Sequence, residues 1–113
     1  MTINTFLEKL HQHPDTISFQ EVISIIDANY IFSPTAFTNG TQKNNAGENS
    51  GSCKLFSFAK AQKLTKEETL LCFGEYYQSV LDHPNGIDHQ NIRNFMNTGW
   101  DAIVFQGNAL VEK

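Results

Sequence analysis

Residues 65–81 read T-K-E-E-T-L-L-C-F-G-E-Y-Y-Q-S-V-L and contain the longest helical pattern in the chain. Thr65 and Glu68 form a capping box, in which both side chains bond to free backbone N–H groups at a helix start. Apolar side chains then recur at helical spacing, at Leu70, Phe73, Tyr77, Val80 and Leu81. The pattern predicts one helix over residues 66–82 with these side chains on its buried face.

A glycine interrupts this apolar stripe. Gly74 lies in the middle of the predicted helix, where Gly costs about 1 kcal/mol relative to Ala. A glycine at such a position indicates a neighbour too close to admit a side chain. We therefore expect another helix to approach the chain at Gly74.

Four further helices are predicted from periodicity and from capping residues. They cover residues 3–12, 19–28, 53–63 and 89–98. Ser18 and Glu21 form the capping box of the second, Ser50 or Ser52 caps the third, and Asp88 caps the last. Gly99 fits the left-handed position after that last helix, and Trp100 is expected to pack back on Phe95.

Two short apolar segments are predicted strands, at residues 30–32 and 102–105. With a helical linker between them, the simplest sheet is a two-stranded antiparallel ribbon. The predicted fold is therefore α+β, with about five helices packed around this ribbon. At 113 residues the chain is predicted to be a single domain over residues 1–113.

Composition excludes several functional classes. A net charge of −4 argues against nonspecific nucleic-acid binding, which needs Lys and Arg to displace counterions. No apolar stretch approaches the ~18 residues of a membrane span, and the N-terminal residues do not resemble a secretory signal peptide. We expect a monomer in the cytoplasm of the cell that makes it, with no cofactor, no nucleic acid and no membrane among its partners.

The two cysteines, Cys53 and Cys72, do not form a zinc-binding or redox motif. We expect two reduced, buried thiols, although a single disulfide is the alternative. Cys53 lies at a predicted helix start, where a thiolate is stabilised, so a nucleophilic role stays open.

The most polar part of the chain is the stretch from Thr38 to Ser52. It contains four Asn and three Gly, and Ala46 is its only apolar residue. Asn and Gly tolerate left-handed dihedral angles, so a loop of this composition can turn its backbone amides toward a ligand. The alternative is a mobile surface linker. Its spacing matches neither a P-loop nor an EF-hand. The candidate binding residues here are Asn39, Asn45 and Asn49.

A second candidate site is D-H-P-N-G-I-D-H-Q-N-I-R at residues 82–93. His89 could act as an acid or base near neutral pH, and Arg93 could clamp an anion at the helix start. The alternative is that Asp88 occupies the helix start and Arg93 pairs with a surface acid. No ligand spacing typical of a metal site is present, so we predict no metal there.

Several blocks of the sequence resemble one family, the HopJ type III effector proteins. They are F-T-N-G (37–40), N-x-A-G-x-N-S-G-S-C-K (44–54), E-T-L-L-C-F-G-E-Y-Y (68–77), D-H-x-N-I-R-N-F-M (88–96) and G-W-x-x-I-x-F (99–105). The resemblance implies a short bacterial protein delivered into a host cell by a type III secretion machine. It implies no active-site residues, so the catalytic residues stay unknown.

The resemblance favours a protein-interaction module that acts on a host or bacterial partner through the polar stretch. The alternative is a small enzyme or an anion- or ligand-binding protein. Its site would join residues of the polar stretch to the predicted helix start, namely Asn39, Asn45, Asn49, His89, Asn91 and Arg93. A third interpretation is an ordinary bacterial protein that is not secreted.

Overall fold

The computed structural model describes residues 2–113 and confirms the α+β class. Its six α-helices are α1 (Ile3–Gln12), α2 (Phe19–Asn29), α3 (Ser50–Ala61), α4 (Lys66–Leu71), α5 (Glu75–Asp82) and α6 (Gln90–Thr98). Its strands are β1 (Tyr30–Phe32), β2 (Phe37–Asn39), β3 (Gln42–Asn44), β4 (Ile103–Phe105) and β5 (Leu110–Glu112). Short 3₁₀ turns cover Pro14–Thr16 and Gly99–Ala102. No helix in this part of the chain is long and apolar enough to cross a membrane.

The predicted helix over 66–82 is divided at Gly74 into α4 and α5. Gly74 has φ +56°, and a Cβ there would lie 2.8 Å from both Ile17 O and Phe19 N. The close neighbour is therefore the backbone just before α2, and not the side of another helix. The break also changes which side chains are buried, because Leu81, predicted to face the core, is 46% exposed.

Both helix starts with a predicted capping box are confirmed, but the complete box forms only at Thr65 and Glu68. At α2 Ser18 accepts from Glu21 N, whereas the Glu21 carboxylate pairs with Lys9. Thr65 accepts from Glu68 N at 3.1 Å, and Glu68 Oε1 accepts from Thr65 N at 2.9 Å. Two other predicted caps are wrong. The N-cap of α3 is Asn49 and not a serine, and the N-cap of α6 is His89 and not Asp88.

The predicted strand pairing is wrong. β1 pairs with β5, with Ile31 opposite Val111, whereas β4 joins a separate three-stranded sheet in the order β3-β2-β4. Pro34 lies in an irregular segment between β1 and β2, and β2 rather than β1 lies beside β4, with Phe37 opposite Phe105. All three pairings are antiparallel.

The core forms around α3. Phe56 is fully buried, and its ring lies 4.9 Å from that of Phe95, 5.3 Å from that of Phe73 and 6.0 Å from that of Phe37. These rings come from α6, from the turn before α5 and from β2, so one side chain links three parts of the fold. Trp100 packs on Phe95 at 5.1 Å, as predicted.

Replacing Gly74 by Ala is expected to lower the free energy of unfolding by roughly 2–4 kcal/mol, because the new Cβ would collide with backbone atoms. Gly47→Ala is the matched control. Gly47 also has a positive φ, +90°, but nothing lies within 4 Å of its Cβ position. The control therefore adds only backbone strain, about 1–2 kcal/mol. Urea denaturation measures both variants, and equal losses would contradict the packing role of Gly74.

Candidate functional site

The polar stretch contains a hairpin, a tight turn and the start of α3, which does not support its interpretation as a mobile surface linker. It begins with the β2–β3 hairpin, whose two-residue turn has Gly40 in its first position at φ +61°. Residues 45–48 then form a tight turn, in which Asn45 N donates to Glu48 Oε1 at 3.0 Å and Glu48 N donates to Asn45 O at 2.9 Å. The stretch ends in the first turn of α3.

Three buried asparagines attach this hairpin to α6. Asn39, Asn44 and Asn91 are 0%, 2% and 6% exposed. Asn91 Nδ2 donates to Asn44 Oδ1 at 2.9 Å, and Asn44 Nδ2 donates back to Asn91 Oδ1 at 3.2 Å. Asn39 Nδ2 donates to Asn91 O at 2.7 Å and to Asn91 Oδ1 at 3.1 Å. The side chain of Asn91 is therefore bonded to both strands of the hairpin.

The network extends to both sides of these three residues. Asn49 Nδ2 donates to Asn44 Oδ1 at 2.7 Å, which ties the start of α3 to the hairpin. One turn along α6 from Asn91, Asn94 Nδ2 donates to Asn39 O at 3.1 Å. Because a buried amide left without a partner costs about 1–3 kcal/mol, the network favours one position of the hairpin over alternatives.

The starts of α3 and α6 meet at a cleft of about 510 Å³. Asn49, Gly51 and Ser52 line it from α3, and His89, Gln90 and Asn91 line it from α6. Both N-caps, Asn49 and His89, have left-handed dihedral angles and make no side-chain capping bond. Across residues 2–113, the N–H groups of residues 50–52 and of residues 90 and 91 have no acceptor within the chain. Four of these five donors, on Gly51, Ser52, Gln90 and Asn91, belong to residues that line the one cavity.

Aromatic rings line the cleft as well. Phe19 and Phe73 line it with nearly parallel rings, 6.0 Å apart and at an interplanar angle of 12°. Tyr76 packs edge-on against Phe19 at 5.1 Å, and the His89 ring lies 5.4 Å from Tyr76. The cleft therefore offers apolar faces beside polar donors.

The structure brings together only some of the residues predicted for this site. Three of them, Asn49, His89 and Asn91, line the cleft. Asn39 does not line it, but its Nδ2 donates to Asn91 O. Asn45 is exposed on the turn beyond the hairpin and does not line it. Arg93 does not line the cleft either, because its guanidinium group is bonded to Asp88 and to His83 O.

Arg93 holds the turn before α6. Its Nη2 donates to Asp88 Oδ1 at 2.7 Å and its Nη1 donates to His83 O at 2.9 Å. The hydrogen bond from Arg93 holds the pKa of the Asp88 carboxyl below its usual value. Arg93 thus pairs with a surface acid, which was the alternative to its role as an anion clamp, and Asp88 is drawn away from the helix start.

The cysteines are reduced and buried, as predicted. Burial raises the pKa of the Cys72 thiol to about 12, and burial likewise raises the pKa of the Cys53 thiol. Both groups are therefore neutral thiols near neutral pH. Cys53 lies in the first turn of α3 but has no thiolate character there, so the nucleophile hypothesis has no support.

Several residues of the site were not predicted from sequence. Asn44 is central to the network, and the cleft also contains Phe19, Gln42, Phe73, Tyr76 and Ile92. The adjacent pair Asn44-Asn45 gave no indication of which side chain turns inward. The aromatic residues matched core positions of their helices, and only the fold shows that their ring edges reach a cavity.

Comparisons with known proteins agree with the sequence resemblance. The model of the family described as HopJ type III effector protein matches residues 3–110. One similar solved structure is the crystal structure of unknown function protein VPA0580. The two chains are 50% identical and align over 100% of this chain and 95% of that chain, with a TM-score of 0.98. A comparison with curated proteins gives no match.

Asn91→Leu is expected to lower the free energy of unfolding by roughly 2–4 kcal/mol. The change keeps the size of the side chain but removes three buried hydrogen bonds, from Asn39 Nδ2 and Asn44 Nδ2 to Asn91 Oδ1 and from Asn91 Nδ2 to Asn44 Oδ1. Asn45→Ala is the control, because that side chain is exposed, and a change within about 0.5 kcal/mol is expected. Chemical denaturation followed by tryptophan fluorescence measures both. Similar values for the two variants would show that the network does not hold the hairpin.

Proposed function

The chain belongs to the HopJ type III effector protein family, and we propose that it binds a small anionic ligand with a flat apolar body in the cleft between α3 and α6. The observation that supports this proposal most strongly is the meeting of two helix starts, both without a capping side chain, at one cavity. The size of the cavity, about 510 Å³, is within the range of about 300–1,000 Å³ that is common for small-molecule sites.

Charge supports an anion. Free N–H groups and the helix dipole give the first turn of a helix a partial positive charge, so one helix start already favours a negative group. Two such starts line this cleft, and the His89 imidazole lines it as well. Although the chain has a net charge of −4, no Asp or Glu is among the residues that line the cleft.

The aromatic residues support a flat apolar body. The rings of Phe19 and Tyr76 pack edge to face in the lining of the cleft, and the ring of Phe73 stacks on that of Phe19. Aromatic groups of a ligand pack favourably against such rings in offset or edge-on arrangements. The polar donors would then fix the orientation of the ligand, as they do in most small-molecule sites.

Phenyl phosphate is a suitable probe, because it joins an anionic group to an aromatic ring. We expect it to bind about tenfold or more tightly than inorganic phosphate or phenol alone, since each fragment uses only one half of the cleft. Isothermal titration calorimetry measures the three affinities. If phenyl phosphate binds no better than its fragments, the cleft does not combine the two kinds of contact.

His89→Asn tests the position of this binding, because Asn tolerates the left-handed backbone of residue 89. The variant is expected to weaken phenyl phosphate binding by about tenfold through loss of the imidazole. His83→Asn is the matched control, since His83 does not line the cleft. This variant should bind phenyl phosphate as tightly as the original protein does. Equal losses in both variants would place the ligand elsewhere.

We propose as a second function that the protein is an effector delivered into a host cell, where it interacts with a host protein. The family match supports this proposal. The exposed turn at residues 45–48 is available to a partner, whereas Asn39 and Asn44 are buried in the network.

A translocation reporter fused to the C-terminus tests delivery. We expect host-cell signal from a bacterium with an intact type III secretion machine and none from an otherwise identical strain that lacks the secretion ATPase. The two strains must contain equal amounts of the fusion. Absence of signal from both would favour an ordinary bacterial protein that acts inside the cell.

A further inference from the structure

We propose that a groove beside α5 docks an amphipathic helix from a partner protein, with Lys or Arg residues flanking its apolar face. The groove has a volume of about 710 Å³ and lies between α5 and the 3₁₀ turn Pro14–Thr16. It has no lining residue in common with the cleft. The proposal therefore goes beyond ligand binding and does not depend on it.

The floor of the groove is apolar. Ile17 is buried at its base, and Leu71 and Tyr77 are partly exposed beside it. Leu81 also lines the groove and is 46% exposed, although its spacing predicts a position on the buried face of the helix. Tyr77 and Leu81 are four residues apart on α5 and therefore lie on the same face.

Gly74 accounts for the presence of the groove. The backbone at residues 17–19 approaches Gly74 so closely that a Cβ would not fit, and the helix is divided there. α5 therefore begins after a break, and not all of its apolar residues continue the buried face of α4, since Leu81 is 46% exposed. The apolar side chains after the break, Tyr77 and Leu81, border the groove as a result.

The rim of the groove is acidic. Asp15, Glu75 and Asp82 line it, and neither Lys nor Arg does. Within residues 2–113, none of these three carboxylates forms an ion pair. Glu75 accepts from Phe19 N at 3.2 Å and Asp82 accepts from Gln78 Nε2 at 3.1 Å, so each has one bond to a neutral group. A partner with basic residues beside its apolar face complements this charge.

The backbone around the groove favours a helical partner. None of the strands contributes to its lining, so an extended peptide would find no strand edge with which to pair. A helix satisfies its own backbone hydrogen bonds and needs only an apolar groove with complementary charge. The proposed occupant is therefore an amphipathic basic helix.

The experiment uses two labelled peptides of about 18 residues, above the length of roughly 12–15 residues below which isolated helices are marginal in water. One carries Leu at helical spacing with Lys between, and the other has Glu in place of every Lys. Fluorescence anisotropy is expected to show binding of the Lys peptide alone, with an affinity that falls as salt is added. Amide shifts in ¹⁵N spectra should be confined to residues 14–17 and 71–83. Equal binding of both peptides, no binding of either, or shifts centred elsewhere would overturn the proposal.

The double variant Asp15→Lys with Asp82→Lys reverses charge on the rim. We expect this variant to bind the Lys peptide about tenfold or more weakly and to gain affinity for the Glu peptide. Asp101→Lys with Glu112→Lys makes the same change in net charge away from the groove and should leave both affinities within about twofold. Equal weakening by the two double variants would show nonspecific attraction and overturn the proposal.

Leu81→Ser tests the apolar floor. Because Leu81 is half exposed, the variant is expected to remain folded, which circular dichroism checks. The affinity for the Lys peptide should fall severalfold, and the dependence of that affinity on salt should not change. An unchanged affinity in the folded variant would leave only a charge effect and would contradict docking of an apolar face.

Discussion

The side-chain amide of Asn91 is the contact on which the arrangement of the site depends. Asn91 lies in the first turn of α6, and its amide group exchanges hydrogen bonds with Asn44 while it accepts from Asn39. These groups are buried, so a displaced hairpin would leave several of them without partners. The hairpin therefore has one favoured position, and the chain leaves it at Asn44 in a place that sets where α3 begins.

The position of α3 then determines the cleft. Asn49 is bonded to Asn44, and α3 starts directly after it with free N–H groups beside those of α6. Phe56, further along α3, fixes the same helix in the core through the rings of Phe37 and Phe95. A polar network at one end of α3 and an aromatic cluster at its middle thus hold two helix starts together. Gly74 determines the other surface feature, because the break that it allows separates α4 from α5 and exposes the face of α5.

The sequence predicted the parts of the fold that depend on local interactions. The capping box at Thr65 and the helix over residues 3–12 are formed by neighbours in the chain, so periodicity and spacing were sufficient. Strand pairing is decided by distant contacts, and the pairing of 30–32 with 102–105 was wrong. The two-residue turn is Gly40-Thr41, and a glycine in the first turn position is a hairpin signal that could have identified β2 and β3.

The candidate site was predictable only in part. The density of asparagines marked the correct stretch, but the sequence did not show that Asn39 and Asn44 turn inward while Asn45 turns out. The role of Arg93 depended on the turn at residues 83–88, where backbone carbonyls accept its N–H groups. Such contacts depend on the tertiary position of a loop, which spacing alone does not give.

The central claim is that buried asparagine amides fasten the polar stretch to α6. Solvent exchange of the side-chain NH₂ protons in ¹⁵N spectra tests it most directly, because each asparagine gives its own pair of signals. The NH₂ protons of Asn44 and Asn91 are expected to exchange at least about a hundredfold more slowly than those of exposed Asn45, since they are released only when the structure opens. Equal, fast exchange at Asn44, Asn91 and Asn45 would contradict the claim.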